Sequence, residues 1–285
     1  MEIHKDIIES NHYSVFVLSD VHEGNAGHNE TAFNLAISLI KETAKERTTE
    51  VLLNGDLIDC IEITDKRFNP VEISEKYKMR DLKDLPRKQA DYVIEKLTDI
   101  KGLITDATVG NHEEAYIKDH HFDVYDYYCN ALGIRKLGFA GIVRKSIHEG
   151  GKSRAVKVID IGITHGRGGA GGKLAGYALN YCVDIWQKFR VDIGLVGHIH
   201  QLTEQSYPSL YVNQNLRLMQ KTRWYGVCGC FLDTYIEGSS GYFEGRHGQV
   251  SAIGMLRIDV DRGNRGWKTQ CNKINLDGRD TDDSN

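Results

Sequence analysis

Residues 13–22, YSVFVLSDVH, run from a short apolar segment straight into an aspartate and a histidine, and residues 50–59, EVLLNGDLID, repeat that plan with two aspartates. Short runs rich in β-branched and aromatic side chains predict buried strands. Both stretches therefore predict strands of a sheet that carry chemically reactive side chains at their carboxyl ends.

Three further segments end in the same way, in Gly110-Asn111-His112-Glu113, in His165-Gly166 and in Gly197-His198-Ile199-His200. The predicted strands are Tyr13–Ser19, Glu50–Asn54, Leu103–Val109, Ala155–Thr164 and Val191–Val196. Apolar residues recur with helical period from Phe33 to Ala44, after Pro86 and from Leu174 to Phe189, so helices are expected between the strands. This alternation predicts an α/β fold with largely parallel strands. Ligand sites in such sheets form beyond the carboxyl ends of the strands, so we expect the five polar segments at one edge.

The later part of the chain has a different character. Residues 140–164 predict a hairpin that turns at Glu149-Gly150-Gly151, and residues 205–260 predict several more strands with little helix. No repeat or linker divides the sequence, which predicts one domain over residues 1–275 and an acidic, disordered tail over 276–285.

The five polar segments offer carboxylate, imidazole and amide ligands. Such oxygen and nitrogen donors suit Mn²⁺, Fe or Zn²⁺ better than Ca²⁺ or a thiolate-bound metal. They are too many for one catalytic ion with an open position, whereas two ions about 3.5–4 Å apart, bridged by one carboxylate, would use them all. The sequence therefore predicts a dinuclear metal site.

The ordered set Asp20-Val21-His22, Gly55-Asp56-Leu57-Ile58-Asp59, Gly110-Asn111-His112-Glu113, His165 and Gly197-His198-Ile199-His200 resembles the signature of the calcineurin-like metallophosphoesterases. The resemblance spans positions 20–200. It implies an α/β, four-layer fold, in which two packed β-sheets are flanked by helices. It also implies two divalent metal ions, for which manganese is favoured and iron, zinc and nickel are alternatives.

Carried over residue by residue, the resemblance implies one metal held by Asp20, His22, Asp56 and His200, and a second held by Asp56, Asn111, His165 and His198. It implies that His112 is a non-ligand catalytic histidine that meets the phosphate or the leaving group. Asp59 matches a position that orients a metal ligand. We also expect Asn111, His112 and Arg167 to contact substrate.

One departure from the family pattern bears on the substrate. Protein phosphatases of the family follow the second aspartate of Gly-Asp-x-x-Asp with an arginine that clamps phosphate, and this chain has Cys60 there. A thiol cannot offer the two parallel hydrogen bonds of a guanidinium group. We therefore expect hydrolysis of phosphodiester bonds, in a nucleotide or nucleic acid, by a hydroxide that bridges the two metals. A small-molecule phosphomonoesterase is the alternative, followed by a non-catalytic scaffold on the same fold.

The glycine-rich loop Gly166-Arg167-Gly168-Gly169-Ala170-Gly171 has the spacing of a dinucleotide-binding motif. The expected acidic residue at the end of the next strand is missing, because Asp192 stands at the start of that strand. A loop over the metals, with Arg167 or Lys173 reaching the substrate, and a purely structural glycine turn are the two readings left open.

Composition limits the partners. The net charge of −4 excludes a protein whose whole surface neutralises nucleic acid, and no apolar run is long enough for a membrane helix. Basic residues cluster within 64–88 and within 135–157, where they form either solvated faces or a basic rim for an anionic polymer. The first residues lack an apolar signal core, which predicts the cytoplasm. The β-rich second half also leaves room for pairing of identical subunits.

Overall fold

The computed structural model describes residues 1–66, 68–150, 156–167, 176–235, 250–264 and 266–278. Within these ranges the chain forms twelve strands in two sheets, together with five α-helices. The strands are β1 (Glu2–Glu9), β2 (His12–Leu18), β3 (Thr48–Asn54), β4 (Ile104–Thr108), β5 (Arg135–Lys136), β6 (Ala140–His148), β7 (Lys157–Thr164), β8 (Ile193–Val196), β9 (Leu202–Val212), β10 (Leu218–Cys228), β11 (Gly254–Gly263) and β12 (Gly266–Asn275). The helices are α1 (Glu30–Glu46), α2 (Leu85–Leu97), α3 (Asn111–Asp119), α4 (Val124–Leu132) and α5 (Tyr177–Trp186).

The two sheets have six strands each. The first sheet has the order β1-β6-β7-β8-β10-β9, and the second has the order β12-β11-β2-β3-β4-β5. Strands β2 to β5 run parallel to one another, and so do β7, β8 and β10. The hairpin of β6 and β7 and the outer strands β11 and β12 add antiparallel pairs. Both sheets are therefore mixed.

The core has three layers of apolar contact. Between the sheets, Val15 and Val17 of β2 pack with Ile161 and Ile163 of β7. On the outer face of the second sheet, Phe16 and the equally buried neighbours of β3 pack against α1, α2 and α4. On the outer face of the first sheet, α5 packs through Trp186. The order helix, sheet, sheet, helix is the predicted four-layer α/β architecture.

The predicted strands and helices are found with small shifts of their ends. The five predicted strands correspond to β2, β3, β4, β7 and β8, and the three predicted helices correspond to α1, α2 and α5. The predicted hairpin is the antiparallel pair of β6 and β7, although residues 151–155 of its turn lie outside the described ranges. The Leu174 end of the third helix also lies outside them, as do residues 279–285 of the predicted tail. The single-domain boundaries stay a prediction.

Strand β1 was not predicted. Half of its sequence, EIHKDIIE, is charged, because it is an edge strand whose only buried residue is Ile8. It pairs in parallel with β6, from Glu2 opposite Gly141 to Glu9 opposite His148. An edge strand without a buried face gives little apolar alternation for a sequence pattern to detect.

Asp6 of β1 belongs to a largely buried network of ion pairs. The fully buried Lys145 of β6 places Nζ 2.7 Å from Asp6 Oδ2 and 2.5 Å from Glu50 Oε2. Arg135 of β5 binds both oxygens of Asp6, each at 2.8 Å. Burial raises the pKa of Asp6, but the hydrogen bonds from Arg135 and Lys145 outweigh it and hold the pKa below its ordinary value. The network joins both sheets, since β1 and β6 belong to the first and β3 and β5 to the second.

Two further observations concern the chain as a whole. All six cysteines are buried and carry free thiols. Among the helices in the described ranges, none combines the length and the apolar character needed to cross a membrane.

Candidate functional site

Most of the predicted site residues lie in loops at the carboxyl ends of five strands, and Asn111 and His112 begin the helix α3. The loops after β2, β3 and β4 leave the second sheet, and the loops after β7 and β8 leave the first. The expectation of a single sheet edge was therefore wrong, because two sheets contribute. Their side chains meet across the gap between the sheets, since His198 donates its main-chain N–H to Asp20.

Three groups of side chains in the described residues could hold a metal ion, and one of them, His22 with Asp59 and His112, contains the predicted non-ligand pair. The other two are the clusters of predicted ligands, and the first cluster consists of Asp20, His22 and His200. His200 Nε2 lies 3.3 Å from Asp20 Oδ1 and 3.2 Å from His22 Nε2. All three are buried or nearly so. Two ring nitrogens and one carboxylate oxygen thus converge on a common point.

The second cluster consists of Asp56, His165 and His198, with Asn111 beside them. His165 Nε2 lies 3.0 Å from Asp56 Oδ2. The Asn111 side-chain NH₂ group lies 3.0 Å from His165 Nε2, 3.2 Å from Asp56 Oδ2 and 2.6 Å from His198 Nδ1. Carboxylate, imidazole and amide groups around one point are a donor set that fits a metal ion, toward which the amide would turn its oxygen.

Asp56 stands between the clusters. Its Oδ2 atom is 3.0 Å from His165 of the second cluster and 3.9 Å from His22 of the first. Its other oxygen, Oδ1, accepts the main-chain N–H of His112 at 2.9 Å. The carboxylate is therefore held in place through one oxygen and faces both clusters with the other.

The carboxylates and histidines of the two clusters shift one another's pKa values. Burial raises the pKa of Asp20, but His165 and His200 outweigh it and lower the pKa to about 2. Burial lowers the pKa of His165, but Asp56 and Asp20 outweigh it and raise the pKa to about 10. Without an ion, a proton on His165 therefore compensates the two carboxylates, and a bound cation would take over that role.

The outer nitrogens of two histidines are fixed by acceptors. His165 Nδ1 donates to the main-chain oxygen of Asn54 at 2.7 Å, and His22 Nδ1 lies 3.2 Å from Asp59 Oδ1. Each ring thus directs Nε2 toward its cluster. Hydrogen bonds of this kind orient imidazole ligands and raise their basicity.

The backbone is strained at the same residues. Positive φ angles of 49–68° occur at Asp20, His22, Asp56, His198 and His200. Residues other than glycine rarely adopt this left-handed region, and each costs of the order of 1 kcal/mol or more. Five of the seven predicted ligands carry this strain, which is the pattern of a site where side-chain direction is fixed by the surrounding structure.

Glycines permit the loops to approach one another. A Cβ atom on Gly110 would lie 2.1 Å from both the main-chain N and Oδ1 of Asp56, and one on Gly197 would lie 2.4 Å from Ser19 Oγ. Gly55 has φ of +76° and would also contact Gly110. Gly55 is needed both for the positive φ angle of its turn and for its close contact with Gly110. Gly110 and Gly197 are needed for close contact alone.

The predicted catalytic pair lies beside the first cluster. His112 Nδ1 is 2.6 Å from the main-chain oxygen of Asp59, and its ring packs edge-on against His22 with centroids 4.8 Å apart. The Asp59 carboxylate meanwhile reaches His22. Asp59 therefore orients both a predicted ligand and the predicted non-ligand histidine.

Glu113 has a role that the sequence analysis did not assign. Its buried carboxyl group accepts the main-chain N–H groups of Asp56 at 3.0 Å, Leu57 at 2.8 Å and Gly110 at 3.1 Å. Burial, with Asp56 nearby, raises the pKa of Glu113 to about 8. Glu113 thus joins the loops after β3 and β4. Its place in the Gly-Asn-His-Glu segment is the sequence feature that could have indicated this role.

Arg167 lies at the edge of the site. Its guanidinium group pairs with Glu114 and lies over the Phe139 ring, 4.6 Å from the centroid. Lys173 and the rest of the glycine-rich loop, residues 168–175, lie outside the described ranges. The two readings of that loop stay open.

Cys60 belongs to the apolar layer. It is buried under α2, and its main-chain N–H donates to Gln89 Oε1 at 3.0 Å. The position that follows Asp59 therefore carries a buried thiol where the family's protein phosphatases have an arginine.

The structure pairs several of the cations in the two basic segments with carboxylates, more completely in 135–157 than in 64–88. In the 135–157 segment, Arg135, Lys136, Arg144 and Lys145 each pair with a carboxylate. In the 64–88 segment, Lys76 pairs with Glu23 and lies 3.5 Å from the centre of the Tyr92 ring. Arg67, Lys152 and Arg154 lie outside the described residues.

Comparisons with known proteins agree with the sequence pattern. A family model described as calcineurin-like phosphoesterase matches residues 13–202. No curated protein matches the chain.

Solved structures show distant likenesses. A predicted phosphoesterase of Streptococcus pneumoniae TIGR4 is 15% identical, with 93% of this chain and 91% of that chain covered and a TM-score of 0.34. Vacuolar Protein Sorting 29 of Cryptosporidium parvum is 12% identical, with 93% and 98% covered and a TM-score of 0.36. NAD nucleotidase of Haemophilus influenzae is 13% identical, with 94% and 50% covered and a TM-score of 0.37.

Proposed function

The chain belongs to the calcineurin-like phosphoesterase family, and from that membership we propose that it hydrolyses phosphodiester bonds in a nucleotide or nucleic-acid substrate. Metal-dependent hydrolysis of phosphoric esters is the activity of the family. The observation that carries the proposal is the position of Asp56 Oδ2 between two clusters of imidazole and carboxylate donors.

In this proposal Asp20, His22, Asp56 and His200 hold one divalent ion, and Asp56, Asn111, His165 and His198 hold the second. When bound, two such ions lower the pKa of a water molecule and neutralise charge on the phosphoryl oxygens. The oxygen and nitrogen donor set favours Mn²⁺, with iron, zinc and nickel as alternatives.

His112 is the proposed general acid. A carbonyl oxygen only accepts hydrogen bonds, so the short contact with Asp59 keeps the Nδ1 proton in place. Proton exchange with the substrate then takes place at Nε2. When protonated there, His112 would donate to the leaving oxygen.

Two observations favour a diester. A phosphomonoester brings a dianion, which calls for more positive charge than the monoanionic diester, and Cys60 stands where a phosphate-clamping arginine would be. The other nearby guanidinium group, on Arg167, is already paired with Glu114. The pairing of Arg135, Lys136, Arg144 and Lys145 with carboxylates further favours a nucleotide-sized diester over a long nucleic acid.

The test is a substrate panel with purified protein and Mn²⁺. We expect a higher kcat/KM for bis-p-nitrophenyl phosphate than for p-nitrophenyl phosphate, and hydrolysis of cyclic nucleotides or short oligonucleotides. Cleavage that depends on phosphate contacts by lysine and arginine should weaken as salt rises. A clear preference for monoesters, with oligonucleotides untouched at low and high salt, would replace the diesterase with a small-molecule phosphatase. Absence of turnover with a full metal site would favour the scaffold.

A further inference from the structure

A cavity of about 210 Å³ adjoins the second cluster. Asn111 belongs to both, because it lines the cavity while its side-chain amide group lies among Asp56, His165 and His198. A substrate whose phosphoryl group lies at the clusters would therefore have one of its substituents next to this cavity.

The lining of the cavity is mainly apolar and aromatic. Phe139, Tyr181, Trp186 and Phe189 contribute to it, together with main-chain atoms around Gly166. Pockets for drug-sized ligands span about 300–1,000 Å³, so this cavity suits a single ring system. Phe139 is 54% exposed, so part of its ring is accessible although Arg167 covers one face.

Arg167 is fixed at the mouth of the cavity. The Tyr181 hydroxyl accepts the main-chain N–H of Arg167 at 3.0 Å and donates to its main-chain oxygen at 2.9 Å. The Arg167 guanidinium group lies over Phe139 and is paired with Glu114. Because Glu114 compensates the charge, this wall offers flat surfaces for stacking and little attraction for a second anion.

We propose that the cavity binds the base of a nucleotide substrate, packed against Phe139 and the neighbouring aromatic side chains. The proposal rests on the proposed function, because it assigns the organic part of the ester whose phosphoryl group lies at the clusters. An uncharged planar ring matches the size, the apolar lining and the compensated charge. Stacking of a base on an aromatic side chain strengthens binding by about 5- to 150-fold.

The test compares two ligands that differ only in the base. Adenosine 5′-monophosphate and ribose 5-phosphate are measured as inhibitors of bis-p-nitrophenyl phosphate hydrolysis. We expect the first to inhibit at least about tenfold more tightly, and Phe139→Ala to reduce that ratio to about threefold or less. Phe139→Leu, which keeps apolar volume without a ring, should give an intermediate ratio. Tyr211→Ala, at an aromatic residue on β9 that is 48% exposed, is the matched control and should keep the wild-type ratio.

A second measurement is independent of hydrolysis. Saturation-transfer NMR on metal-free protein should show adenosine binding through its base protons, weakened by Phe139→Ala, and no binding of ribose. If phosphoesters are hydrolysed but the two phosphates inhibit equally, or if Phe139→Ala leaves their ratio unchanged, the cavity proposal is overturned. If no ester is hydrolysed while adenosine still binds through Phe139, the proposed function is wrong, and the proposal that the cavity binds a base is supported.

Discussion

Nδ1 of His112 lies 2.6 Å from the main-chain oxygen of Asp59, and this hydrogen bond joins the loops that follow two neighbouring strands of one sheet. It turns the ring so that its edge meets His22. The Asp59 side chain holds His22 at the same time. One residue thus positions both the proposed acid and a proposed ligand.

The first prediction concerns His112 as an acid. His112→Ala should keep its metal content but lose about 10²–10⁴ in rate on esters with poor leaving groups, the range expected of a general acid. The loss should shrink for p-nitrophenol esters, because p-nitrophenolate leaves without a proton. Steady-state rates across a leaving-group series, with metal analysis of each preparation, check this. Loss of metal with no leaving-group dependence would instead make His112 a ligand.

The second prediction concerns the shared carboxylate. Asp56→Asn can still accept the main-chain N–H of His112 but lacks the negative charge between the clusters. We expect it to lose activity and to lower metal content at least as much as Asn111→Ala, because one charge stabilises both cations. Elemental analysis per chain is the measurement, with the surface substitution Asp160→Asn as control. Two metals and a near-normal rate in Asp56→Asn would contradict a bridging role.

The third prediction concerns the proton that His165 releases when a metal binds. Since His165 has a pKa raised to about 10 and a metal ligand must be deprotonated, metal binding should release a proton from His165. Protons compete with the metal, so affinity should rise with pH, by about tenfold per unit between pH 7 and 9. Calorimetry in buffers of different ionisation enthalpy counts the protons. His112→Ala should release as many as the wild type, and an affinity independent of pH would contradict the assignment.

The fourth prediction concerns the close contact between Gly110 and the loop that carries Asp56. Gly110→Ala would place a methyl group 2.1 Å from two atoms of Asp56, although the backbone at Gly110 is one that alanine can adopt. The Asp56 loop must therefore move, and we expect a fall in metal affinity and in rate of about tenfold or more. Gly102→Ala is the matched control, because a Cβ there meets nothing within 4 Å. Metal titrations of the two variants should differ, and equal affinities would show that the loops adapt.

The fifth prediction concerns stability. Lys145→Met removes a buried cation from Glu50 and Asp6, of which Asp6 keeps its pairing with Arg135, and should destabilise the protein by about 1–3 kcal/mol. The neighbouring Arg144 pairs with Asp160 at the surface, where its side chain is 52% exposed, so Arg144→Met should cost about 0–1 kcal/mol. Urea unfolding of both variants provides the comparison. Similar free energies of unfolding would mean that the network around Lys145 contributes little.

Local patterns in the sequence were sufficient for β2, β3, β4, β7 and β8 and for α1, α2 and α5, whereas the short helices α3 and α4 were not predicted. Phe33 and its periodic neighbours became the buried side of α1, and residues 13–22 and 50–59 became β2 and β3 with the loops that follow them. The same patterns failed for β1, whose residues are stabilised by a partner strand more than a hundred positions away.

The sequence by itself determined which side chains follow the strands and in what order, because apolar periodicity and strand ends are local properties. Only the tertiary structure decided that these strands divide between two sheets, that Asp56 faces both clusters and that Glu113 accepts three main-chain N–H groups. It also decided that Cys60 enters the core and that Arg167 is held by Glu114 and Phe139. Contacts of this kind join residues far apart in the chain, and they depend on how layers pack rather than on the preferences of any one segment.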